Sequence, residues 1–403
     1  MRYVIIGNGV AANSAAEAIR QLDRSGSVTM LTRSRHYFYY VPALPEYLAG
    51  EKTLADFTLH DQAWYEKHDI DLRLGTEAVA VDPAGKTVAT VSGEIIPYDR
   101  LLLATGGKSF IPPIPGADQD GVLNLRTIED ADRIIEQTAK AHRLLVIGGG
   151  LIGLEAGNGL RKRGLEVSVI ETAARLLPRQ TDPAGSALLQ QQLEEMGFSF
   201  LLGATPREIV RAGDRFSVHI EGGSDISTEV VLLISAGVRP DMLLAQALGL
   251  EIGLGVKVND LMETSREDIF AAGDLVEHRG RYYGIWPAAT AQGRVAGTNM
   301  AGGAASYQGT LPANRLKVAG INLVAAGEID AEGSMESLVS KNEQQRIYRK
   351  LVMRDGAIVG AVLLGDVRGA DYIQYAIQKG IDISALKDEI LNQDFDFGRL
   401  KKL

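Results

Sequence analysis

The hydrophobic and polar positions at the start of the chain form two apolar runs separated by a longer mixed stretch. The first run covers residues 3–6 and the second covers residues 28–31, while the stretch after residue 9 is rich in alanine. A β-branched apolar run indicates a buried strand, and an Ala-rich stretch between two such runs is typical of a helix. We therefore predict a strand–helix–strand unit over residues 1–35.

A second unit of the same kind begins about 140 residues later, after a predicted helix over residues 127–140. Residues 145–147 form its apolar run, residues 166–170 its second strand, and residues 230–237 a further apolar strand that stops at glycine. Apolar strands that alternate with helices usually form a parallel sheet. The repeat therefore predicts an α/β protein with two Rossmann-like dinucleotide-binding domains.

Other segments carry turn and hairpin signals. Residues 72–96 predict a strand pair with a turn at residues 83–85, and residues 98–107 predict a buried strand that ends in glycines. After residue 316 two alternating strands, residues 346–353 and 357–363, flank an Asp-Gly pair. Asp-Gly between apolar runs is a strong hairpin signal, so the last segment is predicted to be a small α+β domain.

Both strand-to-helix junctions carry closely spaced glycines, at Gly7 and Gly9 and again at residues 148, 150 and 153. In this fingerprint the glycines allow a tight turn, close approach to a pyrophosphate, and close helix–strand packing. Ala12 takes the third position of the first copy, where a methyl group is tolerated. The helix N-terminus behind each turn favours an anion. Two such turns predict two bound dinucleotides and electron transfer between them.

Composition narrows the range of functions. The net charge of −9 and the pI near 5.3 argue against nucleic-acid binding. No apolar stretch reaches the roughly 18 residues of a membrane span, so no membrane span is predicted. The first strand begins directly after Met1, which favours a cytoplasmic location over secretion. The absence of cysteine excludes a dithiol relay and cysteine-bound metal within this chain. The six histidines have no metal-ligand spacing, so no metal site is predicted.

In their order along the chain, these motifs resemble the FAD- and NAD(P)H-dependent pyridine nucleotide–disulfide oxidoreductase superfamily. The tail resembles the C-terminal domain of NADH:rubredoxin reductases and nitrite-reductase flavoprotein modules. The resemblance implies a discontinuous FAD domain (residues 1–115 and 246–315), an inserted NAD(H) domain (116–245) and a C-terminal α+β domain (316–403). The implied cofactors are FAD and NADH.

The resemblance and the spacing together predict the cofactor-binding residues. Glu171 directly follows the second strand of the second unit, about 20 residues past the glycines, where a carboxylate binds the ribose 2′-OH of NADH and repels a 2′-phosphate. Trp286 is a candidate for stacking on the flavin, with core packing as the alternative. The predicted cofactor-binding set is Gly7, Gly9, Ala12, Arg33, Ala104, Thr105, Gly106, Gly148, Gly150, Gly153, Glu171, Gly237, Gly273, Asp274 and Trp286.

The chain departs from the family pattern at three places. The acidic residue that usually ends the second strand of the FAD unit is missing, and Arg33 lies in that region. Pro42 stands where disulfide-type relatives carry a redox cysteine. Glu46 stands where ferredoxin-reductase relatives carry a lysine near the flavin, and it either faces the flavin or is solvated. Glu155 matches a position near the nicotinamide–flavin contact or is a surface glutamate. Glu46 and Glu155 form the predicted catalytic pair.

These observations predict an enzyme that passes electrons from NADH through FAD to a small electron-carrier protein, rubredoxin-like or iron–sulfur. The alternatives are a flavoprotein subunit that feeds an iron–sulfur partner subunit, or a peroxide-forming NADH oxidase. A homodimer is possible. A local basic patch would help an acidic protein to meet an acidic carrier, and the clustered candidates are Arg346, Arg349, Lys350 and Arg354.

Overall fold

The structure is a computed structural model that describes residues 1–213, 215–223, 226–228, 231–318 and 320–403. Its strands are β1 (Arg2–Ile6), β2 (Ser27–Leu31), β3 (Ile70–Arg73), β4 (Ala78–Asp82), β5 (Thr87–Thr90), β6 (Ile95–Pro97), β7 (Arg100–Leu103), β8 (Gly107–Ser109), β9 (Val122–Leu123), β10 (Arg143–Ile147), β11 (Glu166–Glu171), β12 (Phe198–Leu202), β13 (Pro206–Ala212), β14 (Arg215–Ile220), β15 (Ile226–Thr228), β16 (Val231–Ile234), β17 (Val238–Pro240), β18 (Val256–Val258), β19 (Ile269–Ala271), β20 (Val276–His278), β21 (Arg281–Tyr282), β22 (Ala313–Val318), β23 (Ile321–Gly327), β24 (Ser337–Asn342), β25 (Ile347–Arg354) and β26 (Ala357–Leu364). Its α-helices are α1 (Val10–Leu22), α2 (Leu44–Leu48), α3 (Leu54–Phe57), α4 (Gln62–Lys67), α5 (Ile128–Thr138), α6 (Leu151–Lys162), α7 (Pro183–Glu195), α8 (Leu243–Ala247), α9 (Trp286–Met300) and α10 (Ala370–Lys379).

The chain divides into two compact units, each built from separate segments. Unit 1 comprises residues 1–41, 52–108 and 238–310, and unit 2 comprises residues 42–51, 109–237 and 311–403. Each unit contains one five-stranded parallel sheet, and one strand of that sheet, β1 or β10, leads directly into one of the two glycine-rich fingerprints. The predicted α/β architecture with two Rossmann-like folds is confirmed.

Unit 1 is built on a parallel sheet with strand order β19-β7-β1-β2-β3. Helix α9 packs so closely on α1 that a Cβ at Gly293 would overlap the backbone carbonyl of Ala11, and one at Gly297 that of Ala15. The predicted strand–helix–strand unit over residues 1–35 is confirmed. The strand pair predicted within residues 72–96, with its turn at residues 83–85, is present as β4 and β5, but a third strand was missed. Strands β4, β5 and β6 form a three-stranded antiparallel sheet, and the third strand has only three residues, too few to give an alternating pattern.

Unit 2 contains a second parallel sheet, with strand order β12-β11-β10-β16-β9. The predicted strands at residues 145–147 and 166–170 are present as β10 and β11, and the helix predicted over residues 127–140 is α5. The strand predicted from residue 230 is described as β16; residue 230 itself lies outside the described residues.

The C-terminal part of unit 2 is an antiparallel sheet with strand order β22-β23-β26-β25-β24, packed against α10. Asp355 and Gly356 connect β25 to β26 with φ values of 51° and 81°. Two positive φ angles in a row are characteristic of the tight hairpin turns that favour Asp-Gly. The predicted hairpin and the α+β character of this segment are confirmed.

Candidate functional site

The first glycine-rich turn, in unit 1, contains two glycines with different physical roles. Gly7 has a φ of 130°, and a methyl group there would overlap the carbonyl oxygen of Ala104. Gly9, in contrast, has no atom within 4 Å of where its Cβ would stand. The fold therefore requires glycine at residue 7, whereas at residue 9 it leaves open space beside the start of α1. That space is where the fingerprint places a pyrophosphate.

The second turn, in unit 2, repeats this division. A methyl group at Gly148 (φ 114°) would overlap the carbonyl oxygen of Ser235, and one at Gly153 would overlap the carbonyl oxygen of Gly148. At Gly150 nothing lies within 4 Å of the Cβ position. The open position again directly precedes a helix, here α6.

Both helices begin without a side-chain cap. The N-cap residues are Gly9 for α1 and Gly150 for α6, and neither helix has a side-chain hydrogen bond at its described N-terminus. The first N–H groups of a helix have no partner within the helix and carry a partial positive charge. Each turn therefore offers uncapped donors next to open space, which fits a dinucleotide pyrophosphate.

A polar network that the sequence did not predict supports the first turn. The Asn13 side-chain amide donates to the backbone carbonyls of Asn8 and Gly9, at 3.1 and 3.0 Å. The hydroxyl of Tyr65 lies 2.6 Å from Asn13 Oδ1 and 2.9 Å from Asn8 Oδ1. His60 Nδ1 is 3.2 Å from the same Asn13 oxygen, and burial lowers the pKa of His60 to about 4. Since the tyrosine lies 52 residues away, only the tertiary fold brings these groups together.

The remaining predicted FAD residues also lie in unit 1. Ala104, Thr105 and Gly106 follow β7, while Gly273 and Asp274 follow β19, so both groups extend the carboxyl edge of one sheet. The buried side chain of Gln292, on α9, accepts a hydrogen bond from the Gly273 N–H at 2.9 Å. This bond fixes the backbone just before the predicted ribityl-binding carboxylate. Ala12 is fully buried in α1.

Arg33 and Trp286 occupy different environments in the same unit. The guanidinium of Arg33 is more than half exposed and lies 3.7 Å from the Asp241 carboxylate. Trp286, the first residue of α9, stacks on Phe38 with ring centroids 5.7 Å apart and meets the edge of Tyr40 at 4.9 Å. The indole is thus part of an aromatic cluster, and its role toward a flavin stays a prediction.

Glu171, in unit 2, lies directly on the second turn. Its Oε2 accepts a hydrogen bond from the Gly149 N–H and its Oε1 accepts one from the Ala173 N–H, both at 2.7 Å. Two backbone donors hold the carboxylate in place, so its remaining lone pairs have a fixed direction. Gly237, also in the predicted set, ends the segment after β16 with a φ of 104°.

Glu46 and Glu155 are neighbours in unit 2. Glu46 lies on α2 and Glu155 on α6, two helices so close that a Cβ at Gly159 would stand 2.6 Å from the Pro45 carbonyl oxygen. Burial and the charge of Glu46 raise the pKa of Glu155 to about 7, opposed by a hydrogen bond from the Lys317 backbone. A carboxyl with this pKa can hold or release a proton near neutral pH.

The predicted basic patch for carrier docking is wrong for two of its four residues, whereas Arg346 and Arg354 are about half exposed and pair with Glu195 and Glu328. Lys350 and Arg349 are 3% and 4% exposed, so neither presents its charge to a partner. The ammonium of Lys350 donates to the Asp330 carbonyl at 2.7 Å and lies 3.4 Å from Asp182, whereas Arg349 pairs with Asp366 at 2.6 Å. The four basic residues cluster in sequence, but a bulge lies in β25 and residues 348–353 of this strand are buried on both faces.

In the described part of the chain, no group of three or more His, Asp or Glu side chains is arranged to hold a metal ion. Among the described helices, none combines the length and apolar character needed to cross a lipid bilayer.

Comparison with known proteins adds the following findings. The profile of the pyridine nucleotide-disulphide oxidoreductase family matches residues 1–293, and that of the rubredoxin NAD+ reductase C-terminal domain matches residues 312–381. Nitrite reductase (NAD(P)H) of Bacillus subtilis (strain 168) is 37% identical over 95% of the chain, which spans only 48% of that protein. NADH-rubredoxin oxidoreductase of Clostridium acetobutylicum is 30% identical over 97% of this chain and 98% of its own. The crystal structure of NADH:rubredoxin oxidoreductase from that organism aligns with a TM-score of 0.80 at 28% identity, covering 100% of this chain and 99% of its own.

Proposed function

The chain belongs to the pyridine nucleotide-disulphide oxidoreductase family, and we propose that it oxidises NADH with FAD and reduces a small one-electron carrier protein. The observation that carries this proposal is the repeated pair of glycines in the two turns. In each turn the fold requires one glycine, while the other leaves open space before an uncapped helix. One turn in each unit would supply one of the two dinucleotide sites that such a transfer requires.

In this proposal unit 1 holds FAD and unit 2 holds NADH. The turn at Gly7 and Gly9 would bind the FAD pyrophosphate, and Asp274 would accept a hydrogen bond from the ribityl chain. A bound flavin supplies the step from the two-electron hydride of a nicotinamide to single-electron release. The protein binds and orients the two cofactors, and no side-chain nucleophile is required.

The residues of unit 2 would determine which nicotinamide is used. Gly148 and Gly150 would bind the NADH pyrophosphate, and Glu171 would accept hydrogen bonds from the adenosine ribose. Because this carboxylate is fixed by two backbone N–H groups, it cannot easily turn away from a 2′-phosphate. NADH is therefore the preferred donor. Glu155, with a pKa near 7, would hold or release a proton close to the nicotinamide end of the site.

Two observations favour a protein acceptor outside this chain. The sequence has no cysteine, so electrons cannot be stored in an internal dithiol. A relative of nearly the same length is described as an NADH-rubredoxin oxidoreductase, and the C-terminal segment matches the C-terminal domain of rubredoxin reductases. A rubredoxin-like protein is therefore the proposed acceptor.

A second candidate function is that of a flavoprotein module within a larger redox complex. Its support is that nearly the whole chain matches about half of the Bacillus subtilis nitrite reductase. In that case the acceptor would be an iron–sulfur centre on a partner subunit. The hydride site would be the same, so only the identity of the acceptor separates the two candidates.

The proposal is tested with the purified, FAD-loaded protein. In the absence of oxygen, NADH is expected to reduce the bound flavin, and added rubredoxin is expected to reoxidise it. Flavin that is reduced by NADH but reoxidised only by oxygen would instead indicate a peroxide-forming oxidase. A preparation that cannot be loaded with FAD would refute both the proposal and the second candidate.

A further inference from the structure

The polar network behind the first turn centres on a buried asparagine inside a helix. Asn13 is 1% exposed and lies in the first turns of α1, where its backbone N–H already bonds to the Gly9 carbonyl at 3.1 Å. Asparagine side chains compete with helical hydrogen bonds and are disfavoured in helix interiors. Here the side-chain amide turns back toward the glycine-rich turn and donates to the carbonyls of Asn8 and Gly9.

Tyr65 fixes the orientation of this asparagine. It is 3% exposed on α4, and its hydroxyl lies 2.6 Å from Asn13 Oδ1. Because the asparagine amide must point toward two carbonyls, its oxygen must face the tyrosine hydroxyl, which then donates to it. The side chain of Asn8 completes the network, since its amide donates to the carbonyl of His36 at 3.3 Å.

The second turn is built without such a network. Leu154 lies four residues after Gly150, as Asn13 lies four residues after Gly9, and its backbone N–H makes the same 3.1 Å bond to the preceding glycine. The leucine is fully buried and apolar. The middle residue of that turn, Gly149, is instead anchored by the Glu171 carboxylate.

The first turn has no such acid, because Thr32, Arg33 and Ser34 directly follow β2. We propose that Asn13 and Tyr65 are positioning residues that hold the first turn, around Asn8, in its pyrophosphate-binding conformation. They take the place of the Glu171 carboxylate, which anchors the second turn. An amide anchor carries no charge, so it holds the turn without repelling the cofactor's phosphates. This inference rests on the proposed assignment of the first turn to FAD.

The test measures the dissociation constant of FAD binding to the apoprotein. Quenching of the flavin fluorescence reports the binding. Tyr65→Phe removes one hydroxyl and keeps the ring, and it is expected to weaken FAD binding about five- to tenfold. Asn13→Leu reproduces the residue of the second turn and is expected to weaken it further. The matched control is Tyr3→Phe, another buried tyrosine of unit 1, whose hydroxyl bonds to Asp23 at 2.9 Å away from the turn.

Two further readouts separate positioning from a general effect on the fold. The affinity of the FAD-loaded Tyr65→Phe protein for NADH is expected to match that of the unmodified protein, because NADH uses the other turn. The melting temperature of the apoprotein is expected to fall no more than in the control. An FAD dissociation constant that is unchanged in Tyr65→Phe would overturn the inference, whatever the melting temperature of the apoprotein. If the unmodified apoprotein binds no FAD, the proposed function fails first.

Discussion

The Glu171 carboxylate accepts a hydrogen bond from the backbone N–H of Gly149 at 2.7 Å. The middle residue of the second glycine-rich turn is thereby tied to the end of the neighbouring strand, β11. This contact places a negative charge, held by two backbone donors, beside the space in front of α6. In the proposed function, this charge determines the choice between NADH and NADPH.

Replacing Glu171 by alanine is expected to reduce the preference for NADH over NADPH. The change removes both a charged acceptor for the ribose hydroxyls, worth about 1.5–3 kcal/mol, and the repulsion of a 2′-phosphate. The ratio of kcat/KM values for the two coenzymes is therefore expected to shift toward NADPH by at least about tenfold. The matched control is Glu166→Ala at the other end of β11, where an exposed carboxylate pairs with Arg143. Equal ratios in Glu171→Ala and the unmodified protein would refute the assignment.

Alanine at the two glycines of the first turn is expected to act on different properties. One substitution lowers the stability of the fold, and the other weakens FAD binding. Gly7→Ala should destabilise unit 1, because the methyl group meets the Ala104 carbonyl and φ is 130°. Gly9→Ala should leave the apoprotein as stable as before and weaken FAD binding, because its methyl group fills only open space. Thermal unfolding and flavin titration measure the two effects. FAD affinity unaffected by Gly9→Ala would show that the pyrophosphate does not lie there.

Gly150→Ala is the corresponding test of the second turn. The methyl group again meets no protein atom within 4 Å. We expect weaker NADH binding, measured as a raised KM, with normal FAD content. Loss of FAD rather than of NADH affinity would reverse the assignment of the two turns.

Glu155 is expected to make the stability of the protein depend on pH between about 4.5 and 7. Its pKa is raised to about 7 from the usual 4.5, so the folded state binds more protons than the unfolded state in this window. Stability therefore falls as the pH rises through it, by an amount of the order of 2 kcal/mol. Glu155→Gln should remove this fall, and Glu46→Gln should reduce it, because one of the causes of the raised pKa is the neighbouring charge. Urea unfolding at a series of pH values measures it, and parallel profiles for Glu155→Gln and the unmodified protein would contradict the expectation.

Lys350 is expected to be a major contributor to the stability of unit 2. Its ammonium is buried with the carboxylates of Asp182 and Asp330, at 3.4 and 3.6 Å. Lys350→Met leaves both charges without their counter-ion, which typically costs about 3–5 kcal/mol. Arg354→Met, on the same strand, breaks an exposed ion pair with Glu328 and should cost less than about 1 kcal/mol. Similar midpoints of urea unfolding for the two variants would contradict this account.

The sequence predicted the parts of the fold that depend on local pattern. Gly7, Gly148 and the Asp355–Gly356 hairpin have positive φ angles that glycine or a short polar residue accommodates, so residue type alone identifies them. The position of Glu171 beside the second turn was predictable as well, since one helix and one strand fix its distance from the glycines along the chain, while its role toward the ribose stays a prediction.

Features that depend on tertiary contacts could not be read from the sequence. Tyr65 contacts Asn13 only because α4 and α1 meet in the folded unit. The basic residues of β25 look like a surface patch in sequence, yet Lys350 and Arg349 face acidic partners inside unit 2. The charges along a strand do not reveal whether other elements of the fold cover its two faces.

The most direct test of the account is the reduction of a one-electron carrier by NADH in the absence of oxygen. The FAD-loaded protein is mixed with NADH and oxidised rubredoxin, or with an oxidised iron–sulfur ferredoxin, and the absorbance of the carrier is followed. We expect catalytic reduction of one of the carriers, faster with NADH than with NADPH. We also expect this rate to exceed the rate of oxygen consumption by the same protein in air. If NADH reduces the flavin while both carriers stay oxidised, the proposed transfer to a carrier protein is contradicted.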